Sequence, residues 1–138
     1  MKILIINGAN LKYLGKREPE IYGKNNFKEY CEELKKNYKI DIDLVETNYE
    51  GEIIESIWER EYDALIINPG GFSHTSIAIF DSLKALEKIK VEVHISNVYK
   101  REEFRKKLVT AEGCDVIISG AGLYGYNLAI EYILKYLK

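Results

Sequence analysis

The sequence predicts an α/β fold in three layers, with a five-stranded parallel sheet covered by helices on both faces. Two observations carry that prediction. Short, continuously apolar runs recur along the chain, as expected of strands buried on both faces, and each is followed by a segment that reads as helical. Parallel neighbours need crossover connections, and those crossovers are right-handed. The 138 residues, 46% of them hydrophobic, form one domain over 1–138 with enough apolar material for a core.

The elements follow in order. Lys2–Asn7 (Lys-Ile-Leu-Ile-Ile-Asn) is the first strand. Phe27, Tyr30, Cys31, Leu34 and Tyr38 recur at helical spacing, with Asn25 or Asn26 as the N-cap. Ile40–Asn48 reads as the second strand, and Ile53, Ile54, Ile57 and Trp58 mark a second amphipathic helix. Ala64–Asn68 is a buried strand that stops at Pro69-Gly70-Gly71, and Ser76–Lys88 is helical. Val91–Ser96 is the fourth strand, and Arg101–Lys107 a short polar helix. Asp115–Ser119 is the fifth strand, and Tyr126–Leu137 closes the chain as an amphipathic helix. For five strands in such a sheet the flavodoxin-like order is the leading expectation, with ligands bound outside the carboxyl ends of the strands.

Composition narrows the classes. A formal net charge of −2 gives no bulk field for nucleic acid or an acidic membrane. The two cysteines, Cys31 and Cys114, offer neither a disulfide framework nor metal-ligand spacing, and Cys31 falls on an apolar helical stripe. The chain opens with no targeting signal, and no apolar run approaches the roughly 18 residues of a membrane span. A cytoplasmic location is expected.

The predicted carboxyl edges hold a concentrated set of polar residues. Strand one ends at Asn7, Gly8 and Asn10; strand three ends at Asn68 and Pro69-Gly70-Gly71, followed by His74, Thr75 and Ser76. Strand four carries Glu92, His94 and Ser96, whose alternation places them on one face. Both histidines of the chain thus fall at this edge. A carboxylate beside an imidazole can fix its tautomer and favour its protonated form, which suits a proton donor. The loop from Asn7 to Gly23 adds Arg17 and Tyr22; a guanidinium beside a phenol lets it ionise well below its reference value of about 10.

Taken singly, each residue has a bland reading. His94 reads equally as a hydrogen-bonded structural histidine, His74 as a helix cap, Asn68 as turn chemistry, and Arg17 and Tyr22 as surface residues. Their convergence at one edge points to proton transfer on a polyhydroxylated or carboxylated small molecule.

The same residues carry a resemblance. Asn7-Gly8-x-Asn10-Leu11, Leu14-Gly15-x-Arg17-Glu18-Pro19-x-x-Tyr22-Gly23, Asn48-x-Glu50-Gly51, Asn68-Pro69-Gly70-Gly71-x-Ser73-His74-Thr75-Ser76, Glu92-Val93-His94-Ile95-Ser96-Asn97 and Arg101-Glu102-x-Phe104-Arg105 together resemble the type II 3-dehydroquinate dehydratases across the whole chain. The resemblance implies dehydration of 3-dehydroquinate to 3-dehydroshikimate in the shikimate or quinate pathway. The implied route is an anti elimination through an enolate, with no metal, organic cofactor or imine. It casts Tyr22 as the base, Arg17 as the cation holding it as tyrosinate, and Asn10 as a stabiliser of the enolate oxygen. His94 is the acid, oriented by Glu92. Asn68, His74, Ser96, Arg105 and the backbone amides at Ile95 and Ser96 bind substrate. Asp81 matches a position that reaches substrate across a subunit contact, in keeping with trimers assembled into dodecamers.

The chain departs from the family pattern at Ala9, where proline is common, at Lys106–Glu112, which lacks a His-Ser pair, and at Tyr124, which replaces a glutamine. These departures are expected to concern packing or assembly more than the reaction. Other classes fit less well. A phosphorelay receiver needs aspartate where Asn7 and Asn68 stand, a flavodoxin needs a hydroxyl-rich phosphate loop, and an imine-forming dehydratase needs a barrel of roughly 250 residues. A non-catalytic binding module or sensor for a quinate-like small molecule is the alternative, and it gives no reason for a tyrosine beside an arginine.

Overall fold

A computed structural model describes residues 1–14 and 26–137. Five strands, β1 (Lys2–Asn7), β2 (Asp41–Glu46), β3 (Ala64–Asn68), β4 (Ile89–His94) and β5 (Val116–Ser119), form one sheet in the order β2-β1-β3-β4-β5. Every adjacent pair is parallel. Among the described residues four α-helices accompany them: α1 (Phe27–Tyr38), α2 (Glu50–Glu59), α3 (Ile77–Ala85) and α4 (Tyr124–Tyr136). The flavodoxin-like order expected from the sequence is the one observed.

Although β1 and β3 are apolar almost throughout, the buried strand residues divide between two cores. Ile3, Ile5, Ala64, Ile66, Val91 and Val93 pack with Cys31 and Leu34 of α1 and with Tyr126, Ala129, Ile130 and Ile133 of α4. Leu4, Ile6, Leu65 and Ile67 face the other way, onto Ile53 and Ile57 of α2 and Ile79 and Leu83 of α3. The two-residue strand period produces this split. Each buried Ile or Leu contributes about 1.5–3 kcal/mol, so the sheet is the rigid part of the molecule.

Caps fix the helix starts. The Asn26 side chain accepts from Glu29 N at 2.9 Å, which makes it the N-cap of α1, and Ser76 Oγ accepts from Ile79 N at 3.0 Å at the start of α3. Lys39, at φ 55°, ends α1 in the left-handed region. Among the described residues no helix is long and apolar enough to cross a membrane.

Three expectations need correction. The polar helix expected over Arg101–Lys107 is absent; the β4–β5 crossover is instead made of 3₁₀ turns at Val98–Lys100, Glu103–Arg105 and Thr110–Gly113. Phe104 is exposed and no residue of Glu103–Arg105 is buried, so this stretch has no apolar face with which to dock a full helix. β4 begins at Ile89 and ends at His94, which leaves Ser96 beyond the strand. Trp58 lies on the solvent side of α2, its indole N–H donating to Ser82 Oγ at 3.3 Å, while Ile53 and Ile57 bury the helix.

Candidate active site

The strand order reverses between β1 and β3, and that crevice holds the site. The loops leaving the two strands touch: Gly8 N donates to Asn68 O at 2.7 Å. A Cβ at Gly8 would lie 2.3 Å from Pro69 O, and one at Gly70, where φ is +64°, 2.7 Å from Ala9 O. Both glycines are therefore required by close backbone approach. Their contact brings Asn10 and Asn68 to one cleft.

That cleft, of about 630 Å³, is lined by Asn10, Asn68, His74, His94, Ile95, Ser96, Arg101 and Arg105 among others, a size suited to a small polar ligand. A cavity of about 740 Å³ adjoins it on the β1–β2 side, bordered by Asn7, Tyr13, Phe27, Glu46 and Arg60. Neither histidine lines the adjoining cavity, whereas both line the first.

His94 is the last residue of β4, only 6% exposed, and its Nε2 lies 2.7 Å from Glu92 Oε2. Glu92 is fully buried, and its Oε1 accepts from Thr110 Oγ1 at 2.6 Å. Both carboxylate oxygens are thus engaged, and Nδ1 is the ring nitrogen left for a ligand. An ionised carboxylate can only accept, so Nε2 carries a proton. The expected pairing of Glu92 with His94 on one strand face is what the structure displays.

His74 stands at the rim, in the 3₁₀ turn Gly70–His74 after β3. Its Nδ1 lies 2.9 Å from Lys107 O. A carbonyl cannot donate, so Nδ1 carries a proton, and Nε2 is the ring nitrogen left for a ligand. Asn68 is held in a buried chain: its Nδ2 donates to Tyr126 Oη at 3.2 Å, Tyr126 donates to Asn7 Oδ1 at 2.7 Å, and Asn68 Oδ1 accepts from Gly70 N at 3.2 Å. Tyr126, fully buried on α4, thereby fixes two asparagines on adjacent strands.

Asn10 adopts φ 69°, and its amide donates to Asn48 Oδ1 at 2.9 Å. A short asparagine tolerates that left-handed backbone better than most residues. The loop after β4 is pinned by its carbonyls: His94 O accepts from Gly120 N at 3.1 Å, Ile95 O from Gly122 N at 3.0 Å, and Ser96 O from Ser119 Oγ at 3.0 Å. Arg101 reaches Ser96 Oγ at 3.4 Å. Arg105 Nε donates to Glu102 Oε2 at 3.1 Å, and Glu102 is held below the ordinary carboxylate range by its own backbone amide and then by Arg105.

Of the residues singled out from sequence, Asn10, Asn68, His74, His94, Ile95, Ser96 and Arg105 line the cleft, with Glu92 directly behind His94. Asp81 does not; it lies exposed on α3. Arg17 and Tyr22 lie outside the described residues. Sequence reasoning passed over Asn48, Arg101, Thr110 and Tyr126 as site residues. Asn48 follows a strand's carboxyl end and was findable by the same logic as Asn10, whereas nothing local marks Thr110 or Tyr126.

The sequence model for Dehydroquinase class II matches residues 1–134. The chain belongs to that family. It is 47% identical over 141 residues to the 3-dehydroquinate dehydratase of Thermotoga petrophila, covering 100% of this chain and 98% of the relative. It is 51% identical over 140 residues to that of Clostridium botulinum strain Hall, covering 98% and 95%. The crystal structure of type II dehydroquinase from Butyrivibrio crossotus superposes with a TM-score of 0.90 at 44% identity, covering 97% of each chain. The type II dehydroquinase from Propionibacterium acnes gives 0.84 at 37% identity, covering 97% and 96%.

Proposed function

We propose that this chain dehydrates 3-dehydroquinate to 3-dehydroshikimate, a hydro-lyase step of the shikimate pathway, by an anti elimination run within a single domain. The observation that carries the proposal is the buried Glu92–His94 pair, 2.7 Å apart, opening onto a cleft with Asn10, Asn68 and His74. Family membership and the relatives' names support the reaction; the roles below are our reading.

Tyr22, held as tyrosinate by Arg17, takes the proton from C2, and the C–H electrons pass into an enolate at the C3 ketone. Asn10 stabilises the enolate oxygen, directly or through water. A positioned base contributes roughly 10²–10⁴-fold, and each good donor to the enolate roughly 3–4 kcal/mol. The enolate then collapses, the C1–O bond breaks, and His94 gives its proton to the departing hydroxyl, which leaves as water. The proton on Tyr22 returns to His94 through solvent, so the enzyme ends as it began. Glu92 stabilises the imidazolium that precedes the step. Asn68, His74, Ser96, Arg105 and the amides of Ile95 and Ser96 hold hydroxyls and carboxylate. No metal or organic cofactor takes part.

Asp81 reaches the cleft of a neighbouring subunit in trimers that assemble into dodecamers. The enzyme works in the cytoplasm. Mixing purified protein with 3-dehydroquinate tests the reaction, since turnover creates a conjugated enone with its own absorbance. Binding without a rise in absorbance would favour a sensor for a quinate-like molecule instead.

A further inference from the structure

One short stretch of the β4–β5 crossover touches His74 and the carboxylate that backs His94. Lys107 O meets His74 Nδ1 at 2.9 Å, Val109 N donates to Ser73 O at 2.8 Å, and Thr110 Oγ1 meets Glu92 Oε1 at 2.6 Å. Thr110 and Glu92 are both fully buried, so water cannot stand in for the hydroxyl. An ionised carboxylate has no proton to share, which makes the threonine hydroxyl the donor. Without that donor, Oε1 would be a buried oxygen with no partner, and the carboxylate would no longer be held in place against the ring.

We infer that Thr110 is a positioning residue for proton transfer: its hydroxyl occupies Glu92 Oε1, holds Oε2 on the Nε2–H of His94, and so leaves Nδ1 to hand a proton to the substrate. The inference rests on the reading of His94 as the acid. It also revises the expectation that the divergent stretch Lys106–Glu112 concerns packing or assembly more than the reaction.

The other ionisable groups near Glu92 have their own partners. Lys90, two residues earlier on β4, donates from Nζ to Leu86 O at 2.6 Å, and Asp115 accepts from Lys90 N at 3.0 Å. Cys114 is raised out of the normal thiol range by burial first and by the Glu92 charge second. Thr110 is therefore the neutral donor assigned to Glu92.

The test compares Thr110→Val, which keeps shape and removes the donor, with Thr110→Ser, which keeps the donor. Steady-state kinetics and nitrogen-15 histidine NMR are read together; with two histidines in the chain, His74 serves as the internal control. Thr110→Val should lower kcat about tenfold with KM within about twofold, and should shift the His94 Nε2–H signal as its carboxylate partner loosens. Thr110→Ser should resemble the parent, and the His74 signals should stay put. Should the valine variant not fold, Thr110→Ala serves the same comparison. A donor-less variant with parental kcat and an intact Nε2–H signal would overturn the inference, as would a serine variant as impaired as the valine one. His94→Asn separates the layers: full kcat there sinks the acid assignment, whereas a dead His94→Asn beside a parental Thr110→Val sinks the Thr110 role alone.

Discussion

The two histidines of this chain sit about one cleft and are built differently. His94 ends a central strand, is nearly buried, and backs onto a carboxylate that is itself held by a hydroxyl. His74 sits in an irregular turn at the rim and is tied to a backbone carbonyl. A carboxylate behind an imidazole favours the charged ring, whereas a neutral carbonyl does little more than choose a tautomer. The contrast lies in the partner behind the ring more than in the ring's place at the sheet edge, and the proposed division of roles between proton donor and hydroxyl ligand rests on it.

Breaking the buried side should have the largest effect. Glu92→Gln replaces an acceptor-only carboxylate by an amide that cannot support an imidazolium. Turnover is expected to fall by about 10²-fold or more, with little change in KM. A parental kcat in that variant would erase the distinction between the two sites. Changing the rim should matter less and in another parameter. His74→Ala removes a hydrogen-bonding ring from the rim, so kcat/KM should fall about tenfold, mainly through KM; a loss confined to kcat would place His74 in the chemistry instead.

Smaller effects sharpen the same contrast between satisfied and unsatisfied burial. Glu46, ending β2, is pushed above the ordinary carboxylate range by burial, partly offset by Lys28 and Lys12. The folded state then holds this proton more tightly than the unfolded chain. Its contribution should therefore fall as pH rises from the normal carboxylate range to the raised value, and then level off. Glu46→Gln should remove that slope and stabilise the protein at neutral pH by less than about 1 kcal/mol, as urea midpoints would register. Burial likewise pushes the Cys31 thiol up to about 12, so native protein should resist alkylation at mildly basic pH that the urea-unfolded chain does not.

Much of the fold was legible because strand and helix patterns are local. The apolar runs at Lys2–Asn7 and Ala64–Asn68 match their strands residue for residue, and the polar edge pointed to Asn10, Asn68, His74 and His94 because those residues follow strand ends directly. The β4–β5 crossover was misread because a charged stretch with i,i+3 pairs such as Glu102–Arg105 and Glu103–Lys106 suits a helix locally. Whether it becomes one depends on an apolar face to bury, and Phe104 alone does not supply one. The supports behind the site were illegible for a different reason. Tyr126 meets Asn7 across 119 positions of sequence, and Thr110 meets Glu92 across 18, pairings that exist only once the sheet has formed.

The central claim is that His94 is the proton donor while His74 only binds. Saturating turnover of 3-dehydroquinate by His94→Asn, measured beside His74→Asn, tests it most directly. The account predicts that His94→Asn binds substrate yet loses about 10²–10⁴-fold in kcat, while His74→Asn recovers most of its rate as substrate rises. Equal losses of kcat in both, or a parental kcat in His94→Asn, would contradict it.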